Sequence, residues 1–368
     1  MYVESLKLNN FRNYYELNMN FTTGVNILIG DNAQGKTNIL ESIYYCSIGK
    51  SHRTNKDKEL INWQRDESYI KLHVGRQRLD KNIEIKIFKD GKKGIKINSI
   101  KINKLSELIG VFNAVMFSPE DLKIVKESPA NRRKFLDIEL CKLDNKYYYN
   151  LVKYNKVLDE RNTMLKKWNS QINDVIDIYD EQLSEFGAYI IKERMLYIKK
   201  LNLKGKKIHD EISSGIESIK FKYLSCIKEI EVSKEDLKSQ LKEQLIKNRS
   251  SDIEKRGTSI GPHREDFSIL INNVDVKSFG SQGQQRTAVL TIKFSSLEII
   301  KDIINEYPVL LLDDVLSELD INRQKYILNS IKNVQTIITC TGIDSIREYL
   351  DDDVKVFNIK NGMITNKN

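Results

Sequence analysis

The sequence lacks the features of a membrane, secreted or metal-binding protein. Its longest clearly apolar run, VLLL before Asp313, is far shorter than a membrane span, and MYVESLKLNNF at the start has no signal-peptide core. Only four cysteines and four histidines occur in 368 residues, and they are scattered without a C-x-x-C pair. A zinc or disulfide framework is therefore not expected. We expect a cytoplasmic protein with no membrane partner.

The overall composition is that of a soluble globular chain. Apolar residues make up 40% and charged residues 30%, and the formal net charge is +9. A positive balance suits a polyanion partner such as DNA. A sequence so rich in Lys, Asn and Ile is equally typical of an AT-rich genome. Because the positive charge is spread along the chain, composition favours nucleic acid only slightly.

The distribution of proline and glycine divides the chain into strand-rich and helical regions. The first 120 residues read as strands around one early helix, with VNILI (25–29) as a strongly apolar strand. No proline follows Pro129 until beyond Glu254, and apolar residues there recur at helical spacing. Helices and strands alternate again after that. We therefore predict an α/β head formed by residues 1–120 plus 255–368, split by a helical arm over residues 121–254.

The stretch GDNAQGKTN (30–38) has the pattern G-x-x-x-x-G-K-[ST] and directly follows VNILI. A glycine-rich turn between a strand and a helix brings backbone N–H groups and the helix dipole to phosphate oxygens. Lys36 would then neutralise the β- and γ-phosphates, and the Thr37 hydroxyl would bind Mg²⁺. The alternative is a glycine turn beside a buried lysine stem. The predicted nucleotide contacts are Gly30, Asp31, Asn32, Ala33, Gln34, Gly35, Lys36 and Thr37.

A second carboxylate-bearing element follows much later, in PVLLLDD (308–314). An unbroken apolar run indicates a fully buried parallel strand, and its charges appear only at the carboxyl end, where α/β sheets bind ligands. We predict that Asp313 holds Mg²⁺, directly or through water, and that Asp314 polarises the attacking water. The alternative is that one aspartate only caps the next helix. Lys36, Asp313 and Asp314 are the catalytic candidates.

Between these two elements lies FGSQGQQRT (279–287), here called the signature motif. Alone, it is a weak pattern that also fits a serine-capped helix. The order phosphate loop, long insertion, signature motif, aspartate strand and SELD (317–320) resembles the ABC-type ATPases of the SMC-like group. In that group the serine and a backbone N–H at the glycine meet the nucleotide of a second subunit, so that ATP joins two heads.

The chain further resembles the RecF family over nearly its whole length. The matching segments are LNNFRNY (8–14), GDNAQGKTNILESI (30–43), GKSHR (49–53), FSPEDL (117–122), NRRKFLD (131–137), TSIGPHRED (258–266), GSQGQQRT (280–287) and LLLDDVLSELD (310–320). The resemblance implies ATP and Mg²⁺ as cofactors, an ATP-dependent homodimer, and slow DNA-stimulated ATP hydrolysis. It also implies single-stranded and double-stranded or junction DNA and a RecR-type mediator as partners. The implied role is DNA replication and recombinational repair, with RecA loading at gapped or stalled DNA and support of the SOS response.

The resemblance also implies roles for individual residues. Ser281, Gly283 and Gln284 would face the nucleotide of the partner copy, and Asp320 would lie in the loop that crosses between subunits. Arg12 and Arg53 are candidate phosphate or nucleotide contacts, with surface ion pairs as the alternative.

Some positions depart from the pattern of the group. Ala33 stands where glycine is common, and its methyl group is tolerated if φ is negative there. No glutamine occurs near FSPEDL, so that Glu120 or Asp121 would take the coupling position. Thr339 occupies the place of a catalytic histidine. An aspartate in place of glutamate and the missing histidine predict poor water activation and slow turnover.

Two other functional classes remain open. One is an SMC-like ATPase with a different role, in phage defence or beside a nuclease, although no nuclease carboxylate cluster is visible. The other is a nucleotide-binding scaffold without turnover. The lysine-rich segment KKLNLKGKK (199–207) and the cluster DGKKGIK (90–96) are candidate DNA phosphate contacts or merely solvated lysines.

Overall fold

The computed structural model describes residues 1–167, 173–227, 234–342 and 354–365. Its strands are β1 (Tyr2–Phe11), β2 (Tyr14–Asn20), β3 (Val25–Ile29), β4 (Glu67–Gly75), β5 (Lys81–Phe88), β6 (Lys93–Ile97), β7 (Ile100–Ile102), β8 (Ala114–Phe117), β9 (Ile219–Leu224), β10 (Asp266–Ile271), β11 (Val274–Asp275), β12 (Val309–Asp313), β13 (Thr336–Cys340), β14 (Val354–Lys360) and β15 (Met363–Ile364).

Its α-helices are α1 (Lys36–Ile48), α2 (Lys123–Lys126), α3 (Pro129–Leu143), α4 (Asn145–Lys166), α5 (Asn173–Ser213), α6 (Lys234–Lys247), α7 (Arg249–Lys255), α8 (Val276–Phe279), α9 (Gln282–Ile304) and α10 (Ile321–Ser330). Among the described residues, no helix has both the length and the apolar character needed to cross a bilayer.

The chain forms two compact units. The first contains Met1–Asp121, Ile208–Ile216 and Val289–Asn368, and the second contains Leu122–Lys207 and Glu217–Ala288. These ranges differ from the predicted division mainly after residue 216, because the second unit continues to Ala288 and includes the first turns of α9. The predicted domains, residues 1–120 plus 255–368 and residues 121–254, stay a prediction.

An antiparallel sheet of the first unit has the order β2-β1-β4-β5-β6-β7. One face of β1 is buried through Val3, Leu6, Leu8 and Phe11. The step from Val3 to Leu6 breaks the two-residue period because the pairing of β1 with β4 shifts register between Val3 and Ser5. The bulge keeps the apolar side chains of this strand on the core face.

The other sheet of the first unit has the order β15-β14-β3-β13-β12-β8 and is parallel except for the terminal β14–β15 pair. Every residue of β12 and of β13 is buried, as the continuous apolar run of β12 predicts. Strand β13 separates β3 from β12, so the ends of all three strands lie side by side. This edge places the phosphate loop near the strand that ends at Asp313.

The second unit combines helices with a three-stranded antiparallel sheet of order β11-β10-β9. The region predicted as a helical arm, residues 121–254, also contains the strand β9. Its sequence IKFKYL alternates with a period of two: Ile219 and Phe221 are buried, and Lys220 and Lys222 are exposed. The side chain of Asn202 on α5 bonds to both backbone groups of Phe221, at 2.7 and 2.8 Å.

Charged side chains are buried in the second unit. Arg161 donates to Asp180 and Asp252 at 2.8 Å each, and all three side chains are 0% exposed. Such a network is satisfied only when each partner is present, since removal of one leaves a buried charge uncompensated. It joins α4, α5 and α7 within this unit.

Candidate nucleotide site

The phosphate loop, residues 30–37, connects β3 to α1 in the first unit. Gly35 has φ +111°, and a Cβ there would lie 2.6–2.9 Å from the Asn13 amide and the Tyr14 hydroxyl. A Cβ at Gly30 would lie 2.3 Å from the carbonyl oxygen of Ile359. Both positions therefore require glycine on steric grounds. The loop ends where α1 begins at Lys36, so the helix N-terminus faces the space that the loop encloses.

Lys36 is held in the mouth of the loop. Its side chain is almost fully buried, and its ammonium group donates to the carbonyl oxygens of Gly30 and of Asp31, the latter at 2.8 Å. Backbone carbonyls are weak partners for an ammonium ion compared with phosphate oxygens. The lysine is therefore positioned for an anion beside the N-terminus of α1.

Ala33 has φ +65°, so the negative φ on which tolerance of its methyl group was expected to depend is not found. The methyl group sits in the left-handed region, where a non-glycine residue costs about 1–2 kcal/mol. The loop keeps this conformation because its neighbour Gln34 is fixed on both sides. The carbonyl oxygen of Gln34 accepts bonds from Asn13 Nδ2 and Gly362 N at 3.2 Å, and its Oε1 accepts from Asn361 N at 2.6 Å.

The hydroxyl of Thr37 lies 2.8 Å from Oδ1 of Asp313. Two neighbouring ligands of an octahedral Mg²⁺, each about 2.1 Å from the ion, lie about 3 Å apart. The two oxygens are hard donors and are of the type that Mg²⁺ prefers. Thr37 and Asp313 thus fit a magnesium site, and they would hold the ion against the phosphates of a nucleotide.

Thr339, at the inner strand β13, contacts both aspartates. Its hydroxyl donates to Asp313 Oδ1 at 2.9 Å and accepts from the backbone N–H of Asp314 at 2.9 Å. Asp314 has φ +54°, and its carbonyl oxygen accepts from Ser317 Oγ at 2.8 Å. One buried hydroxyl therefore fixes the metal-binding carboxylate and the backbone of the candidate water-polarising residue.

Arg12 and Arg53 both bind Glu41 of α1, the ion-pair arrangement that the sequence analysis gave as the alternative. Arg12 is bidentate to the Glu41 carboxylate at 2.7 and 2.9 Å, and Arg53 lies 3.4 Å from it. Ser51 also donates to Glu41. Burial raises the pKa of Glu41, but the Arg12 and Ser51 hydrogen bonds and the two arginine charges bring that pKa below its usual value. A nucleotide contact by either arginine stays a prediction.

The signature motif forms the start of α9 in the second unit. Gln284 N donates to Ser281 Oγ at 3.2 Å, and Ser281 N donates to Gln284 Oε1 at 3.0 Å, which is the reciprocal pattern of a capping box. The other end of the Gln284 amide donates to Glu217 Oε1 at 2.8 Å. Ser281 is exposed, so its hydroxyl can reach an external anion at this helix N-terminus. Gly283 lies one turn before Thr287, whose hydroxyl donates to its carbonyl oxygen at 2.9 Å.

Sequence reasoning missed Glu217. This residue follows the end of α5 and has no motif around it, and it becomes visible only through its contact with Gln284. The expected role of Asp320 in a crossing loop stays a prediction, and its carboxylate caps α10 by accepting from Arg323 N at 3.1 Å.

Asp121, one of the two candidates for the coupling position, pairs with Lys293 of α9 at 2.6 Å and accepts from Ser118 N at 2.8 Å. Lys293 also donates to the carbonyl oxygen of Met116 at the end of β8. These contacts lie within the first unit and tie FSPEDL to the later part of α9.

The phosphate loop after β3, the strand ending at Asp313 and the parallel sheet between them define an ABC/SMC-type P-loop ATPase head. Residues 2–365 match the family model of the RecF/RecN/SMC N-terminal domain. The sequence is 64% identical over 364 residues to the DNA replication and repair protein RecF of Clostridium novyi (strain NT), which covers 99% of both chains. The protein of the same name from Clostridium tetani is 64% identical over 362 residues, 98% of this chain and 99% of that protein. This chain belongs to the RecF family.

Solved structures agree with this assignment. A structure of the recombination mediator protein RecF with ATP, of the RecFOR pathway, is 41% identical, covers 99% of this chain and 97% of that chain, and has a TM-score of 0.90. An Smc head bound to the C-winged helix domain of ScpA has a TM-score of 0.59 at 15% identity, with coverage of 99% and 96%. The latter shows the shared fold alone.

Proposed function

We propose that this chain binds ATP and Mg²⁺, dimerises on ATP and acts on DNA in replication and recombinational repair. The contact that carries the nucleotide part is the 2.8 Å pairing of Thr37 with Asp313 beside a lysine-bearing phosphate loop. The repair role is supported by relatives named DNA replication and repair protein RecF and by a structure of RecF with ATP. The finer role is RecA loading at gapped or stalled DNA with a RecR-type partner in the cytoplasm, in support of the SOS response.

The residues of the first unit have distinct tasks in this proposal. Bound ATP with its metal supplies the phosphoryl group to be transferred. Lys36 offsets phosphate charge, Thr37 and Asp313 hold Mg²⁺, and Asp314 orients the attacking water. Slow turnover is supported by the short Asp314 side chain and by the Thr339 hydroxyl, which is already bonded to both aspartates. Its stimulation by DNA rests on the resemblance to the RecF family.

The signature motif would complete the site of a second copy. Ser281, Gly283 and Gln284 begin a 23-residue helix, and an N-terminus of this kind binds anions. An exposed serine at that point is consistent with a nucleotide phosphate delivered by a partner. ATP would then join two chains, and hydrolysis would release them.

Light-scattering mass with ATP and Mg²⁺ tests the dimer. Asp314→Asn should block hydrolysis and double the mass, and Ser281→Arg in that background should restore the monomer because its side chain fills the phosphate position. Ser239→Arg on the exposed face of α6 makes the same change elsewhere and should leave the dimer intact. A monomer under every condition, added DNA included, would refute the ATP-dependent dimer.

ATP hydrolysis with and without DNA separates the remaining classes. The proposal expects slow turnover that rises with DNA, whereas a scaffold shows none. An SMC-like ATPase of a different role would dimerise on ATP but would not associate with a RecR-type protein. Arg12→Gln and Arg53→Gln test a direct nucleotide contact, which would lower ATP affinity in chains that remain folded.

A further inference from the structure

Two segments named in the sequence analysis, NRRKFLD (131–137) and TSIGPHRED (258–266), meet in the second unit and take no part in the nucleotide site. Arg133 Nη1 donates to the carbonyl oxygen of Glu265 at 2.8 Å. Arg264, the preceding residue, donates from Nε to the carbonyl oxygen of Thr258 at 3.2 Å. Arg133 is half-buried and Arg264 is exposed. Arg133 and Arg264, here called the arginine pair, are therefore fixed by backbone groups and remain open to solvent.

The carboxylates around the arginine pair are bound by other side chains. Asp266 accepts two hydrogen bonds from Arg132, at 2.7 and 2.8 Å. Glu265 accepts short hydrogen bonds from Tyr223 and Ser225. Asp137 accepts from Tyr147 at 2.6 Å and from Arg194 at 2.7 Å. The acids that lie beside the arginine pair in sequence are thus hydrogen-bonded to other side chains.

Within the part of the chain that the structure describes, neither Arg133 nor Arg264 forms an ion pair with a carboxylate. The pKa of Arg133 is lowered, first by burial and then by the charge of Arg194, whereas the charges of Asp266 and Asp137 act in the opposite direction and that of Arg264 lowers it further. The nearby His263 is half-buried, and because its pKa is lowered to about 4 it is neutral at pH 7 and adds no charge. Among the described residues, the two positive charges therefore have no carboxylate within ion-pair distance, although the charges of Asp266 and Asp137 still act on Arg133.

We propose that the arginine pair is a phosphate-binding site for the backbone of DNA. Each guanidinium uses one N–H group on a backbone carbonyl and keeps further donors, in the planar arrangement that matches phosphate oxygens. Backbone carbonyls fix the two side chains in advance, so little rotamer entropy is lost on binding. The site reads no bases, since phosphate contacts position nucleic acid without specifying its sequence. This inference rests on the proposed DNA binding and assigns it a surface.

An acidic protein surface is the competing occupant. Nucleic acid is favoured because Lys134, next to Arg133, is also exposed, and because the whole chain carries a net charge of +9. A backbone with one charge per nucleotide matches several adjacent cations. The DNA phosphate contacts expected from the sequence lie elsewhere, in the lysine-rich segments 90–96 and 199–207.

Fluorescence anisotropy with labelled duplex and single-stranded oligonucleotides over a salt series tests the site. Arg133→Gln and Arg264→Gln should each reduce the slope of log K against log salt by about 0.9 on duplex DNA, and the double variant should reduce it by about twice as much. At 0.1 M salt each single change should weaken binding about eightfold, the factor that one counterion contributes. Lysine at either position should restore most of the affinity.

Lys156→Gln is the matched control, because Lys156 is exposed on α4 of the same unit and its loss also lowers net charge by one. Fluorescent ATP binding and thermal midpoints identify variants that fail to fold. If the wild type binds DNA but Arg133→Gln and Arg264→Gln show the same slopes and affinities as Lys156→Gln, the arginine pair is not the DNA site, and the proposed function still stands. Unchanged DNA binding with lost binding to a RecR-type protein would overturn it in favour of an acidic protein surface. A wild type that binds no DNA would overturn the proposed function as well.

Discussion

The Thr37 hydroxyl lies 2.8 Å from the Asp313 carboxylate, although the two residues are 276 positions apart. The parallel sheet makes this contact possible, since β3 and β12 end on the same edge with only β13 between them. The side chain that bridges this gap is Thr339, at the end of β13, whose hydroxyl reaches both Asp313 and the backbone of Asp314. The metal-binding pair is thus supported from the strand that separates its members.

Replacing Thr339 should weaken catalysis more than nucleotide binding. Thr339→Val keeps the shape but removes both hydrogen bonds, and loss of such outer partners of a metal ligand costs about 10- to 100-fold in metal affinity or activity. We expect Mg²⁺-dependent ATP hydrolysis to fall by that factor while nucleotide binding in EDTA changes little. Thr339→Ser keeps the hydroxyl and should retain most of the activity. Equal rates for the valine variant and the wild type would contradict the positioning role.

Glu217 should control the ATP-dependent dimer through Gln284. Glu217→Ala frees the Gln284 amide and weakens the capping box at Ser281, so we expect a dimer about tenfold weaker, a loss of about 1.4 kcal/mol. Glu217→Gln keeps an acceptor oxygen and should lose much less. Sedimentation with ATP in the Asp314→Asn background measures the dimer, and ATP affinity of the monomer should not change.

A Gln284→Ala background tests the same route, because Glu217→Ala should then have no additional effect on the dimer. Additive losses would mean that Glu217 acts on the dimer by a different contact.

The phosphate loop should tolerate glycine at position 33 better than any branched residue. Ala33→Val places a β-branched side chain at φ +65° and should lower the thermal midpoint by about 2–8 °C, the equivalent of about 1–2 kcal/mol. Ala33→Gly relieves the strain in the folded loop but raises the conformational entropy of the unfolded chain. The thermal midpoint of this variant should therefore stay near that of the wild type or rise. Calorimetry without nucleotide compares the three chains. A valine variant as stable as the glycine variant would show that the loop adopts a different conformation in solution.

His263 should make the second unit less stable in mild acid. Its pKa is lowered to about 4, mainly by burial and also by the charges of Arg264 and Arg133, although its bond to the Thr258 carbonyl acts in the opposite direction. The unfolded chain, with a pKa near 6.5, binds more protons between these values. Stability should therefore fall from pH 6.5 towards pH 4, by up to about 1.4 kcal/mol per pH unit, and stay constant for this group above pH 7.

Denaturation midpoints of the wild type and of His263→Gln across this pH range check the expectation. The variant cannot titrate at this position, so its stability should change less steeply with pH. Parallel pH profiles would show that His263 is already protonated or exposed in the folded chain.

The sequence pattern was enough to predict a functional element where the residues that shape it are neighbours in the chain. The strand, glycine loop and helix of residues 25–48 and the aspartate-terminated β12 are of this kind, because burial and turn chemistry act over a few residues. The left-handed Ala33 was not predictable, since its φ depends on bonds that Gln34 makes to Asn13 and to the β14–β15 turn.

Longer-range relationships were invisible for a similar reason. Glu217 matters only because the end of α5 delivers it to the start of α9, and Asp121 finds its partner Lys293 far along the chain. Strand β9 was overlooked because six alternating residues inside a long helical region give a weaker signal than the helices on either side. The free donors of Arg133 and Arg264 follow from which acids other side chains have taken.

Asn361 and Gly362, near the end of the chain, donate hydrogen bonds to Gln34 of the phosphate loop. The nucleotide site can therefore form only late in the synthesis of the protein. Strand β3 is flanked by β13 and β14, so its two neighbours are translated more than 300 residues after it. Until the ribosome has released residues up to the β14–β15 turn, β3 lacks both of its neighbouring strands, and Gln34 lacks its bonds to Asn361 and Gly362. A nascent chain should therefore remain unable to hold ATP through almost all of its translation, and chaperone contacts in that interval would meet an apolar β3 without its partners.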